Sequence, residues 1–413
     1  MRSLTLLSQL FLVILLVGCE DIIELEKQSY VIAIGIDQTE QEGIYQFTFQ
    51  IANPISSDPA EGSGQTPDQV VSIPSTDIIT ATDIANDFLT KKVNLDHTLV
   101  IVVSEQLARA GDFIRVIQPA TRTAKIQRNI QIIVSRENAE QFLRSIDHGL
   151  ESKPNRYFQF MISRVQETGV TAFADFHRFF QVTEGKDRLF LAMYGTTIQE
   201  QEDLKKKSIE KIAGEIVQTG GNPAQFIGSA VFKNGKMIDV LTGEETRIVN
   251  ILNKTTKMDD LIAAIADPIE PNYSISGSFV KKKDPKVSVY YDANTNHAKF
   301  DILVPFDFEV LAVPSMVNYS SNGELELILL KALENYFTTT SHKFIEKTQK
   351  EYKGDPFYLS LYIRRLFKDI PSYEKADWQG EIYPNAEINV RFKIERLEFG
   401  KSIYDTNLNE LSD

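Results

Sequence analysis

The sequence predicts an α+β chain of three mixed α/β domains, their antiparallel or mixed sheets covered by helices, behind a cleaved lipoprotein leader. Three observations predict it. Apolar residues alternate with period two in well-separated runs, the signature of strands with one covered face. Between those runs, apolar residues recur every three or four positions, as helices packed on one side require. At 413 residues, the chain also exceeds what one hydrophobic core normally serves.

The leader comes first. Residues 4–17 are largely apolar, follow one basic residue, Arg2, and end in Leu16-Val17-Gly18-Cys19. The run is short of the ~20 apolar residues that cross a bilayer, but it has the order of a secretory h-region. Its end is the lipobox pattern, in which the Cys19 thiol takes a diacylglycerol and the chain is cut before it. Cys19 is the only cysteine in the chain, which favours lipidation there over a plain signal peptide. Residues 1–18 are therefore read as signal peptide, and Cys19 as a lipid anchor on the extracytoplasmic face of a membrane.

Composition narrows the function classes. With 42% hydrophobic and 24% charged residues, the rest of the chain reads as a soluble globular body on a tether. A balance of 44 basic against 57 acidic residues, formally −13, disfavours nucleic acid, which needs a clustered basic face. Lys205-Lys206-Lys207 and Lys281-Lys282-Lys283 read as solvated faces or turns. With its thiol committed to lipid, the chain has no cysteine left for a disulfide, thiolate metal cluster or nucleophile. His97, His148, His177, His297 and His342 stand singly, in no metal-binding spacing.

Residues 19–196 make the first domain. After an acidic lead, residues 30–37 (YVIAIGID) form a strand covered on both faces, paired as a hairpin with the alternating run 44–51 (IYQFTFQI). Residues 53–75, rich in Pro, Gly, Ser and Asp, read as an exposed loop, for binding or disordered, with disorder favoured. Ser75 or Thr76 then caps a helix whose Ile78, Ala81, Ala85, Phe88 and Leu89 make one stripe, and 98–103 (TLVIVV) returns as a buried strand. The pattern repeats: a helix capped by Ser104 reaching about Ile117, a strand at 129–134, a helix capped by Ser135, helical material at 173–180 and a strand at 188–194.

A charged helix over 200–217 and Gly220-Gly221-Asn222-Pro223 lead into a middle domain, 197–275. Its hairpin, 227–241, turns at Asn234-Gly235, the pair suited to two positive-φ positions. Glu244 and Glu245 suit the first turn of a helix reaching Leu252. The C-terminal domain, 276–401, has alternating strands through Val287, Val289 and Tyr291, then Phe300 to Val304, then Phe306 to Val310. A long helix over 323–352 covers them, and a strand over 386–394 closes the domain. Residues 402–413 are a polar tail.

Chemistry is sparse. Gly400-Lys401-Ser402 ends like a phosphate loop, but Glu395 stands where its first glycine belongs. Glu244 and Glu245 point about 100° apart on a helix, so helix-start electrostatics explains them better than an acid/base pair. The helix at 357–368 mixes aromatics with Arg364, Arg365 and Lys368; core packing with a basic outer edge is preferred to a membrane face.

Taken in order, these motifs resemble one family, the Ger(x)C lipoproteins, C subunits of nutrient germinant receptors in endospore-forming bacteria. The resemblance spans nearly the whole chain. It rests on the Cys19 lipobox, the Tyr30–Asp37 run, Gly228-Ser229-Ala230-Val231-Phe232 with its hairpin, and Gly243-Glu244-Glu245-Thr246-Arg247. Lys353-Gly354-Asp355-Pro356, Trp378 and the closing strand add to it. One departure is Pro356-Phe357-Tyr358, where relatives more often carry Gly-Phe-Gly. The resemblance implies a three-domain α+β protein without catalytic activity, cofactor or metal. It would sit on the outer face of the spore inner membrane beside the polytopic A and B subunits, and whether it binds a small molecule itself is left open. The alternative is a solute-binding lipoprotein of a membrane transporter, which calls for regular βαβ alternation in two lobes.

Overall fold

The computed structural model describes residues 27–52, 69–123, 126–146, 154–185, 187–200, 208–256 and 258–400. Cys19, the leader, the acidic lead, residues 53–68 of the expected loop and the tail from 401 lie outside them. Among the described residues, the strands form two mixed sheets, of nine and five strands, with helices against their faces.

The first sheet is built around β1 (Gln28–Gln38). β2 (Tyr45–Ala52) pairs with it antiparallel as the expected hairpin. On its other side β5 (Val100–Ser104) runs parallel, followed in the same sense by β6 (Gln131–Ser135) and β7 (Phe190–Thr196). Both faces are covered, which is why β1 reads as continuously apolar: Val31, Ile34 and Ile36 join one core cluster, Ile32 and Ala33 the other. A short β4 (Lys92–Asn94) pairs with the start of β1.

Several expectations give way here. Residues 69–75 are not loop but an edge strand, β3 (Gln69–Ser75), paired along β2 with Pro74 near its end, where an edge tolerates a missing N–H. Helix α1 (Ile78–Phe88) is capped by Asp77, which accepts from the N–H groups of Ile79 and Thr80, rather than by Ser75 or Thr76. The helix expected from 104 to 117 is two pieces, α2 (Glu105–Ala110) and α3 (Phe113–Ile117), parted by Gly111 at φ 92°; Ser104 makes no side-chain cap. Helix α4 (Ala139–Ser145) is not capped by Ser135, whose hydroxyl donates to the Glu137 carbonyl. Helices α5 (Pro154–Thr168) and α6 (Phe176–Gly185) complete the layers.

No charged helix occupies the described part of 200–217. The backbone there is spent elsewhere: Ala213 N–H donates to Ile227, the Lys211 carbonyl accepts from Gly243, and Gly214 turns at φ 93°. The hairpin of β8 (Gln225–Lys233) and β9 (Lys236–Leu241) has its Asn-Gly turn as expected, with φ of 52° and 80°. It does not found a middle sheet, because β8 pairs antiparallel with β7 and extends the first sheet.

After helix α7 (Gly243–Leu252), the strands β10 (Leu261–Ala266), β11 (Ser274–Val280), β12 (Lys286–Asp292) and β13 (His297–Ala312) make the second sheet by antiparallel pairing. The two alternating runs at 300–304 and 306–310 prove to be one strand. Pro305 falls between the stretch of β13 paired to β12 and the stretch paired to β11, so its missing N–H interrupts neither ladder. Helix α8 (Gly323–Lys347) lies over the sheet and continues as a π-turn to Tyr352. The short helices α9 (Ser360–Ile363) and α10 (Ile370–Lys375) follow, and β14 (Glu387–Glu398) closes the sheet beside β13, parallel to it. The core of this sheet takes in Leu189, Leu191, Val231 and Leu241 from the first, so the two sheets share one apolar cluster.

Candidate functional site

The motif residues gather at three joints. At the first, the Asp37 carboxylate accepts the N–H groups of Ala139 at 2.7 Å and Glu140 at 3.0 Å, capping α4 from a neighbouring strand. Burial raises the Asp37 pKa, against the lowering of those bonds. Gly35 lets the same helix approach, since a Cβ there would meet Leu143 at 3.1 Å and Ala139 at 3.2 Å. The run YVIAIGID thus seats α4 on the sheet.

The second joint is α7. Thr242 and Glu245 form a reciprocal capping box, and Glu245 also pairs with Lys347 of α8 at 2.9 Å. Glu244 accepts from the Tyr336 hydroxyl, again on α8. Arg247, buried, donates to the carbonyls of Ile262 at 2.8 Å and Thr168 at 2.7 Å; burial draws its pKa down to about 10. Asn250 donates to Gly169 and Thr171. One short helix therefore ties the first sheet, the edge of the second and the long helix together. Neither glutamate is free for acid/base work.

The third joint is the loop Lys353-Gly354-Asp355-Pro356-Phe357-Tyr358. Asp355 is fully buried, and its oxygens accept the N–H groups of Phe357 at 2.8 Å and Ser360 at 2.9 Å. Its own carbonyl accepts from Leu189 at the start of β7 at 3.0 Å. Beside it lies the buried pair Asp187–Arg188, 2.9 Å apart. Lys233 reaches across to the carbonyls of Tyr352 and Lys353. The guanidinium groups of Arg178 and Arg188 lie 4.9 and 4.6 Å from the Tyr358 ring centre. Tyr358 holds φ at 64°, a left-handed conformation that glycine adopts without strain, and this chain sets a ring there against two cations.

Among the described residues, no histidine belongs to a group that could hold a metal ion. His97 packs edge-on to Tyr30 at 4.9 Å, His342 is bonded to the backbone of Val390, and His148 lies outside the described residues. Among the described residues, no group of three or more His, Cys, Asp or Glu is placed to hold a metal ion, and no helix is long and apolar enough to cross a membrane. Sequence reasoning missed Asp37 as a cap and Asp355 as a buried anchor; the lone acid ending or interrupting each apolar motif was the available signal.

The family described as spore germination protein N-terminal domain matches residues 21–195. The family described as spore germination B3/GerAC like, C-terminal, matches residues 227–400. The chain is similar to "Spore germination protein B3" of Bacillus subtilis (strain 168), 22% identical over 398 residues, covering 94% of this chain and 96% of that protein. It is similar as well to "Putative spore germination protein YfkR" of the same organism, 21% identical over 402 residues and covering 96% of each. Among solved structures, the GerBC protein shares the fold, with a TM-score of 0.51 and 19% identity over 91% of this chain and 100% of that one.

Proposed function

The chain belongs to the Ger(x)C family of spore germination proteins, and from that premise we propose that it is a non-catalytic, lipid-anchored subunit of a germinant receptor. It works through protein contacts beside the polytopic A and B subunits, on the outer face of the spore inner membrane. The observation that carries this reading is where the motif residues lie. Asp37, Gly228, Arg247 and Asp355 serve as joints between elements, each bonded to backbone groups of a neighbouring segment. A chain held so firmly at its own seams is suited to present surfaces rather than to turn over a substrate.

The anchor is the Cys19 thiol. At ~0.8 kcal/mol per buried methylene, a second acyl chain converts marginal binding into stable anchoring. Confinement beside membrane partners raises the effective concentration of contacts that are weak in solution. Cys19→Ala in spores tests this: the protein is expected to leave the membrane fraction and germination to slow, with the fold intact. Normal retention and normal germination would overturn the anchor. Detergent-solubilised, tagged protein that never brings down a polytopic subunit would overturn the receptor role.

A further inference from the structure

The segment after Asp355 carries a basic surface on an acidic chain. Arg364, Arg365, Lys368 and Lys375 are all exposed, and among the described residues none of them is ion-paired. Arg364 only leans over the Tyr373 ring at 5.8 Å. Of the acids in the same stretch, Asp369, which also accepts the N–H of Ser372 at 2.9 Å, and Glu374 are both exposed, so the cations there still outnumber the counter-charges. Among these cations Leu366 is 47% exposed and Ile370 54%, and Tyr290 of β12 is 67% exposed. Tyr290, Leu366, Lys368 and Lys375 line one open cleft of about 760 Å³. Cations interleaved with exposed aliphatic and aromatic side chains are the composition that settles at a lipid headgroup boundary.

Its position agrees with that chemistry. β1, β5, β6 and β7 run parallel, with Ala33 level with Val100, Val100 with Gln131, and Ile133 with Met193, so their starts lie at one end of the sheet. The loop that leads into the basic surface docks at the start of β7 through Leu189, and Tyr373, beneath the surface, feels the charges of Asp187 and Arg188 at that same place. β7 stands three strands from β1, roughly 14 Å at the usual strand spacing. The tether enters the sheet at Gln28, and residues 20–27 reach at most about 29 Å. The tether and the basic surface thus belong to one end of the molecule.

We infer that this surface docks on anionic lipid headgroups. Arg364, Arg365, Lys368 and Lys375 meet the phosphates, while Leu366, Ile370 and Tyr290 enter the interface. Docking here turns a tethered body into an oriented one, with the opposite end of the first sheet facing away from the bilayer. The inference rests on the anchored reading above, and its test separates the two. Tyr290→Cys in the lipidated full chain supplies one free thiol, since the only other cysteine carries the lipid. An environment-sensitive fluorophore on it is read on vesicles of phosphatidylcholine alone and of phosphatidylcholine with phosphatidylglycerol, with a headgroup-level quencher, and flotation is run on the same samples.

The label is expected to be quenched on anionic vesicles and spared on neutral ones, while the protein floats with both. Replacing Arg364, Lys368 and Lys375 together by Gln is expected to weaken docking about a hundredfold without loss of flotation. Absence of quenching on anionic vesicles overturns the docking surface whether or not the protein floats; failure to float on neutral vesicles overturns the anchor instead. Quenching unchanged in the triple variant, with co-purification of a polytopic subunit lost, would assign the surface to an acidic protein partner and overturn the lipid assignment.

Discussion

The carboxylate of Glu334, on the long helix α8, accepts the backbone N–H of Ile394 in the closing strand β14 at 2.9 Å. Thr338 accepts from Phe392 at 3.2 Å, and the His342 Nε2 accepts from Val390 at 3.0 Å. Four residues of helix advance about 6.0 Å and two residues of strand about 6.6 Å, so side chains four apart can meet every second N–H of the strand. The edge of the second sheet is closed by a helix rather than by another strand, which removes a template for unwanted pairing.

That relationship predicts a graded response. Glu334→Ala leaves the Ile394 N–H without its acceptor and is expected to cost ~1–2 kcal/mol, whereas Glu334→Gln retains a carbonyl oxygen and costs less. Thr338→Val, of nearly the same shape, should act likewise at Phe392. Denaturant unfolding gives the cost, and amide exchange localises it: faster exchange at Ile394 in Glu334→Ala, with none at Val231 in the first sheet, is the expected pattern.

Asp355 predicts a pH dependence. Burial pushes its carboxyl from 3.8 up to about 7, and the bonds from Ser360 and Phe357 lower it against that. A folded-state pKa above the unfolded one means that the native protein holds the proton more tightly. The resulting stabilisation is fully present below about pH 4 and is lost as pH rises through about 7. Asp355→Asn cannot titrate, so its stability relative to the parent should improve by a few kcal/mol between about pH 4 and pH 8. At low pH it should be the weaker protein by ~1–3 kcal/mol, because the amide offers a donor to one of two N–H groups. Parallel stability curves for the two proteins would contradict this.

Gly228, which opens the run Gly-Ser-Ala-Val-Phe, sits at φ 87°, and a Cβ there would lie 2.2 Å from the Leu241 carbonyl oxygen. Its N–H donates to Val170 at 2.8 Å. Gly228→Ala therefore pushes β8 and β9 apart as well as straining the backbone, and is expected to cost more than ~2 kcal/mol. Gly43, at φ 77° with nothing within 4 Å of its missing Cβ, is the control: alanine there should show only the ~1 kcal/mol backbone cost. Thermal unfolding of the two variants side by side measures the difference.

Legibility from sequence followed range. The Asn234-Gly235 turn, the first turn of α7 and the span of α8 are readable because each depends on residues within a few positions of one another. The edge strand β3 was not, since Gln-Val-Val-Ser-Ile-Pro-Ser acquires its state from pairing along β2. The cap of α4 was hidden because its acceptor, Asp37, comes from a strand 102 residues earlier. The hairpin 227–241 was legible as a hairpin but not as part of the first sheet, because a turn sets the register of its own two strands and says nothing of the third.

From the sequence alone came the expected lipobox at Cys19, the mixed α and β character and the order of motifs that marks the family, because periodicity, turn chemistry and motif spacing are written locally. Only the tertiary structure decided which strands share a sheet, that α8 closes the edge of β14, and that Asp355 lies where water does not reach. Those outcomes depend on desolvation and on backbone groups meeting across long separations, and such free energies exist only once the chain has packed.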